Sequence, residues 1–309
     1  MSALRQNRIL FGTDRIRIEF FAAEAPNGGI ACVFVPGDTR SLEGNQHGGH
    51  FMVENGFDVV SFKTLADDWY QSVPESALRD IAAFFDEAGY KHRIAFGASM
   101  GGYAAMAFSK WLGLTVALGY SPQFTAKDGY DKRYAPHVKG LKWRYEINPE
   151  AISPSCDYFF VYDHKDFDRF HMARYRQIIA PGRYHELTLA YAGHPTTQFL
   201  HDLGLLKTVT LSVANDRAFP SGDLRAEKSR SVNYLRTLAL VTAEKRKYAT
   251  ALALLSRQLR LDPASFNGVS RKTLALVTKG LEATAINRPP PVKGAGQVRR
   301  ALAKLLRRT

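Results

Sequence analysis

Residues 93–108 constrain the fold more than any other stretch of this chain. Arg93-Ile94-Ala95-Phe96 is apolar and of strand length. Gly97-Ala98-Ser99-Met100-Gly101-Gly102 follows, and then Tyr103-Ala104-Ala105-Met106-Ala107-Phe108, which is small and helix-tolerant. A strand that runs through Gly-x-Ser-x-Gly straight into a helix predicts a sharp turn with the serine at its apex. Neighbours of that apex must be small, and Gly97 and Gly101 leave room for strand and helix to approach each other. The first helical turn also points unpaired N–H groups and the positive end of its dipole toward Ser99. Gly-x-Ser-x-Gly alone is common in turns. Its setting, and the acid and histidine that follow it, give it weight.

The histidine is His194. His185-Glu186-Leu187-Thr188-Leu189-Ala190-Tyr191 reads as a strand, and Ala192-Gly193-His194-Pro195 leaves it as a loop. A ring in a glycine-softened loop at a strand end can swing over a neighbouring strand end. Of the nine histidines only this one has that setting: His185 starts its strand, His171 lies in a helical run and His92 reads as part of a turn.

The acid comes from the segment after Tyr158-Phe159-Phe160-Val161-Tyr162, an apolar strand. Asp163, Asp166 and Asp168 all follow within six residues. An acid that must reach the loop of a neighbouring strand sits a few residues past its own strand end, which favours Asp166. Asp163, at the strand end itself, is the alternative. Asp168 reads as a helix start, where a carboxylate caps the first turn.

With serine, acid and histidine in that chain order, residues 8–206 resemble the α/β-hydrolase superfamily of serine hydrolases. The resemblance implies a mostly parallel, doubly wound sheet, a Ser-His-Asp triad and an oxyanion hole of two backbone N–H groups. One donor would be Met100, the residue after the serine. The other would come from the loop Pro36-Gly37-Asp38-Thr39 after the continuous apolar strand Ile30-Ala31-Cys32-Val33-Phe34-Val35, a run of the kind buried on both faces. Many relatives carry His-Gly where this chain has Pro36-Gly37, and Asp38 is the expected second donor. His47-Gly48-Gly49-His50 looks like a His-Gly-Gly motif but lies too far beyond the strand. It reads as a loop or helix start, and no metal or cofactor is expected.

Other segments agree with this architecture. Residues 15–21 alternate apolar and charged side chains, as an early or edge strand would. Residues 56–62 and 115–120 read as further strands, and 74–88 as a helix with Ala77, Leu78, Ile81, Phe84 and Phe85 on one face. Strands alternating with helices of this length predict right-handed βαβ units in one covered sheet.

Ser99 and His194 are 95 residues apart, which leaves little room for a large cap domain. The one sizeable insertion, 121–155, is rich in Tyr130, Lys132, Arg133, Tyr134, Lys142, Trp143, Arg144 and Tyr145. It reads as a small lid whose cations and aromatic faces suit an anionic or carbohydrate-linked substrate. A looser resemblance to hydrolase-like proteins of bacterial surface-polysaccharide assembly points the same way. The expected chemistry is acyl transfer to water from an ester or thioester through an acyl-enzyme. The alternative is a non-catalytic adaptor on the same fold.

From residue 207 onward the chain changes character, carrying 21 basic and six acidic side chains. The sequence therefore predicts a catalytic domain over 1–206 and a basic α-helical region over 207–309. Residues 231–245 and 247–261 read as a helical hairpin, with Tyr248, Ala251, Leu255, Leu259 and Leu261-Asp262-Pro263 weakly resembling one tetratricopeptide-type repeat. Residues 271–285 predict another helix before Pro289-Pro290-Pro291. Residues 297–308 form a short basic amphipathic pattern suited to an anionic membrane surface or a protein partner. Nucleic acid ranks lower, because no recognised motif accompanies the charge.

No apolar run approaches the ~20 residues of a membrane span. The first ten residues hold no secretory hydrophobic stretch, and the two cysteines, Cys32 and Cys156, fall in or beside buried strands. These features predict a cytoplasmic protein, with the basic tail able to bring it to the inner membrane face.

Overall fold

The computed structural model describes residues 7–38, 41–44, 48–222, 227–266 and 268–286. They divide into two units. The first holds the chain up to residue 190 with 194–197 and 206–222; the second holds 191–193, 198–205 and the described residues from 227 onward. Of the expected 1–206 domain, residues 191–193 and 198–205 go with the second unit, while the helix Leu206–Asp216 goes with the first.

The first unit is built on strands β1 (Arg8–Gly12), β2 (Ile16–Phe21), β3 (Gly29–Phe34), β4 (Asp58–Thr64), β5 (His92–Ala98), β6 (Val116–Tyr120), β7 (Asp157–Asp163) and β8 (Tyr184–Leu189). They form one sheet in the order β1-β2-β4-β3-β5-β6-β7-β8. β1 and β2 pair antiparallel, as do β2 and β4, and every later pairing is parallel. An eight-stranded, mostly parallel sheet in this order is the α/β-hydrolase fold. All six residues of β3 are buried, as its unbroken apolar run requires in a doubly covered sheet. In β2 the alternation predicted from sequence puts Ile16, Ile18 and Phe20 into the core.

Helices α1 (Gly49–Glu54), α2 (Glu75–Glu87), α3 (Met100–Ala107), α4 (Ala135–Val138), α5 (Asp168–Ile178), α6 (Thr197–Asp202) and α7 (Leu206–Asp216) follow along the chain. α2 buries the five apolar residues picked out by their spacing. α3 is buried along its whole length, because its small residues let it lie directly against the sheet. Cys32 and Cys156 are both buried free thiols, and burial pushes each thiol far above its ordinary pKa.

The second unit contains α8 (Val232–Glu244), α9 (Tyr248–Leu261) and α10 (Gly268–Ile286). Ser231 caps α8 by accepting the Tyr234 N–H at 3.0 Å. Ala239, Ala243, Ala251, Leu252, Leu255, Leu259, Phe266, Leu274 and Val277 make its core. Gly280 makes room for Tyr248: a β-carbon there would meet its ring. The amphipathic pattern at 297–308 and the proline run lie outside the described residues, as does His47.

Candidate active site

β5 delivers Ser99 to the centre of the sheet edge, and the turn is as tight as the sequence requires. Ser99 adopts φ 54° and ψ −119°, a strained conformation for a residue with a β-carbon. A β-carbon on Gly97 would strike the backbone of Gly101, and one on Gly101 would strike the carbonyl of Phe34 on β3. Strand and helix can meet only if both residues are glycine. Met100 supplies the first amide of α3, in the turn whose N–H groups have no carbonyl partner within the helix.

His194 lies five residues beyond β8 and joins two groups. Its Nε2 is 2.9 Å from Ser99 Oγ, and its Nδ1 is 3.2 and 3.1 Å from the two carboxylate oxygens of Asp168. The acid at the imidazole is therefore Asp168, not Asp166 or Asp163. Asp168 does start a helix, as its sequence setting indicates, but its carboxylate turns to His194 instead of capping. Asp166 is spent locally, accepting the Phe167 N–H at 2.5 Å and lying 3.5 Å from Arg133. Asp163 accepts the Lys165 N–H at 2.8 Å at the end of β7.

Asp168 is almost fully buried, with 1% of its side chain exposed. Burial alone would raise its pKa, but His194 and the guanidinium of Arg133, 2.8 Å away, outweigh it and hold the carboxyl at about 2. Arg133 is shared: its Nη2 and Nε also reach Asp131 at 2.7 and 3.0 Å. Asp131 in turn accepts from His171 Nε2 at 3.1 Å, while His171 Nδ1 accepts the Phe124 N–H at 3.1 Å. One hydrogen-bonded chain therefore runs His171, Asp131, Arg133, Asp168, His194. The helical setting of His171 gives no hint of this role, which arises from its contact with Asp131, 40 residues earlier in the chain.

Two more side chains meet the serine. Gln123 is buried, and its Oε1 accepts the Trp69 indole N–H at 3.2 Å, which fixes the carboxamide orientation. Its Nε2 then donates to Ser99 Oγ and to the Tyr134 hydroxyl, both at 2.9 Å. The Tyr134 hydroxyl lies 2.8 Å from His194 Nε2. With Nδ1 carrying the proton that faces Asp168, Nε2 has one lone pair, and two hydroxyls reach it. Burial pushes the Tyr134 phenol up to about 12, so it is a neutral donor at neutral pH.

Around these groups stands an aromatic wall. Trp69 meets Tyr134 edge to face at 5.3 Å between ring centres and lies 6.2 Å from Trp143. Trp69 and Tyr70 both have positive φ, 53° and 61°. The Tyr70 hydroxyl donates to the Val35 carbonyl at 2.8 Å and anchors that strained loop.

Two expectations change. The Asp38 N–H is donated to the Asp67 carboxylate at 2.7 Å in a turn of positive φ, so it is not presented to Ser99 as a second oxyanion donor. Two of the insertion's cations are committed elsewhere: Arg133 to aspartates, and Lys127 to Glu146 at 2.9 Å. A separate cavity of about 440 Å³ lies at the insertion between Lys127, Tyr130, Glu146 and Arg174, and Ser99 is not among its lining residues. His50 forms an i,i+4 pair with Glu54 at 3.3 Å. No cluster of three or more metal-binding side chains occurs among the described residues.

No protein-family model matches the chain, and no curated protein sequence does. Solved structures are similar to it. One is an α/β serine hydrolase without lid from Xanthomonas campestris, 15% identical, covering 71% of this chain and 96% of that one at a TM-score of 0.44. Another is the capsule O-acetyltransferase of Neisseria meningitidis serogroup A, 12% identical, covering 68% and 99% at 0.48. A predicted CIB-like hydrolase from Thermoplasma acidophilum is 12% identical, covering 67% and 96% at 0.40.

Proposed function

We propose that the first unit is a serine acyl-transfer enzyme acting on an ester or thioester through Ser99, His194 and Asp168. One observation carries the reading: a single imidazole bridges the elbow hydroxyl at 2.9 Å and a buried carboxylate at 3.1 Å. Free serine is a poor nucleophile at neutral pH. His194 Nε2 takes the Ser99 proton as Oγ attacks the carbonyl carbon, and Asp168 holds the tautomer and stabilises the imidazolium. The Met100 N–H supplies one donor to the tetrahedral oxyanion; such a donor typically contributes about 3 kcal/mol. The intermediate collapses to an acyl-serine as His194 protonates the leaving group.

The half-buried rings of Tyr134 and Trp143, backed by Trp69, support an acylated carbohydrate as the substrate class, since aromatic faces bury the apolar face of a sugar ring. A fluorophosphonate probe tests the core of the reading. Ser99 should label in the wild type and fail to label in Ser99→Ala, with labelling strongly slowed in His194→Ala. A wild-type serine that stays inert would sink it.

A further inference from the structure

The fate of an acyl-enzyme is decided at the position facing the histidine Nε2. The leaving group departs from that position with a proton, and the oxygen that next occupies it is deprotonated and attacks the acyl-serine. In a hydrolase that oxygen is a water. Here the Tyr134 hydroxyl already stands at that position, 2.8 Å from Nε2.

The phenol is held there from several sides. Gln123 donates to it at 2.9 Å, and that carboxamide is itself fixed by Trp69. The Tyr134 ring packs edge to face on Trp69, and the Arg133 guanidinium lies 5.4 Å from the ring centre, locked by Asp131 and Asp168. A water has one oxygen and no further surface, so displacing the phenol brings it no compensating contact. An alcohol that carries a ring or chain can recover the loss by packing on the half-buried Trp143. By microscopic reversibility the same subsite receives the leaving group of the donor.

We infer that Tyr134 excludes water from the second half-reaction, so that the acyl group passes from Ser99 to the hydroxyl of an organic acceptor of the polyol or sugar class. This rests on the acyl-serine reading above. The step balances without redox change. The Ser99 Oγ–acyl bond breaks, the acceptor O–acyl bond forms, and the acceptor proton travels through His194 Nε2 to Oγ.

The full chain is tested with 4-nitrophenyl acetate as donor and with glycerol or methyl glucoside as acceptor. Nitrophenolate release is followed together with the mass of the intact protein and of the acetylated polyol. The wild type should release about one equivalent quickly and then turn over slowly. Added polyol should raise the steady rate several-fold and yield acetyl-polyol. Tyr134→Phe deletes a single oxygen and leaves room for one water at Nε2, so steady hydrolysis without acceptor should rise at least fivefold; Tyr134→Leu should move in the same direction. A wild type that deacylates in water as fast as it acylates, with Tyr134→Phe unchanged or slower, would overturn this inference and leave the triad reading intact. Failure of Ser99 to acetylate at all would overturn both.

Discussion

The Tyr134 hydroxyl stands 2.8 Å from His194 Nε2, as near as the serine with which it shares that nitrogen. Gln123 reaches both hydroxyls from the same amide nitrogen at 2.9 Å. The insertion therefore brings a neutral hydroxyl and a carboxamide within hydrogen-bond reach of the elbow.

The three aspartates after β7 can be separated by single substitutions. Asp168→Asn should lower kcat by roughly three to four orders of magnitude, because the amide favours the wrong imidazole tautomer. Asp166→Asn should stay within a few-fold of wild type. Ester turnover measured on the two variants side by side checks this.

Arg133 ties the insertion to two buried carboxylates. Arg133→Met leaves both without their cation and should destabilise the protein by about 2–4 kcal/mol in urea unfolding at pH 7.

Acid stability follows from the Asp168 carboxyl, lowered to about 2 from an unfolded value near ~3.9. A depressed pKa contributes stability that is full above the unfolded value and is lost as pH falls through the folded one. Asp168 should thus give about 2–3 kcal/mol at neutral pH, lost between roughly pH 4 and pH 2. In Asp168→Asn the fall in unfolding free energy across that window should be correspondingly shallower.

The glycines at the elbow admit no side chain. Gly97→Ala or Gly101→Ala pushes a methyl into backbone atoms, which cannot rotate away. Each should cost about 3 kcal/mol or more, seen as a large drop in Tm or loss of soluble protein.

Gly280→Ala poses a cleaner case in α10. Helix propensity alone would favour alanine by about 1 kcal/mol, but the methyl meets the Tyr248 ring. Net destabilisation of the wild type, reversed when Tyr248→Leu is added, is the expected outcome in thermal melts.

Much of this was legible in the sequence because it is local. The run 93–108 dictates strand, turn and helix through residue size alone, and Gly193-His194 announces a loop at a strand end. The acid was harder. Asp163, Asp166 and Asp168 differ only in how the chain turns after β7, and Arg133, from a distant segment, is the group that meets Asp168 there. The same holds for Asp38, whose N–H is captured by Asp67 from another loop. Gln123 and Trp69 carried no spacing signal, since their roles arise only when residues 54 positions apart meet. The antiparallel strand β1 is short and carries no alternation, so only its pairing with β2 reveals it.

Asp168 is the first residue of α5, whose inner face carries the buried side chains of Met172 and Tyr175. The carboxylate's alignment is thereby inherited from a whole rod of secondary structure instead of from one flexible turn. Cavities cut beneath that rod would then reach the triad as misalignment, with every one of its side chains still present in the sequence.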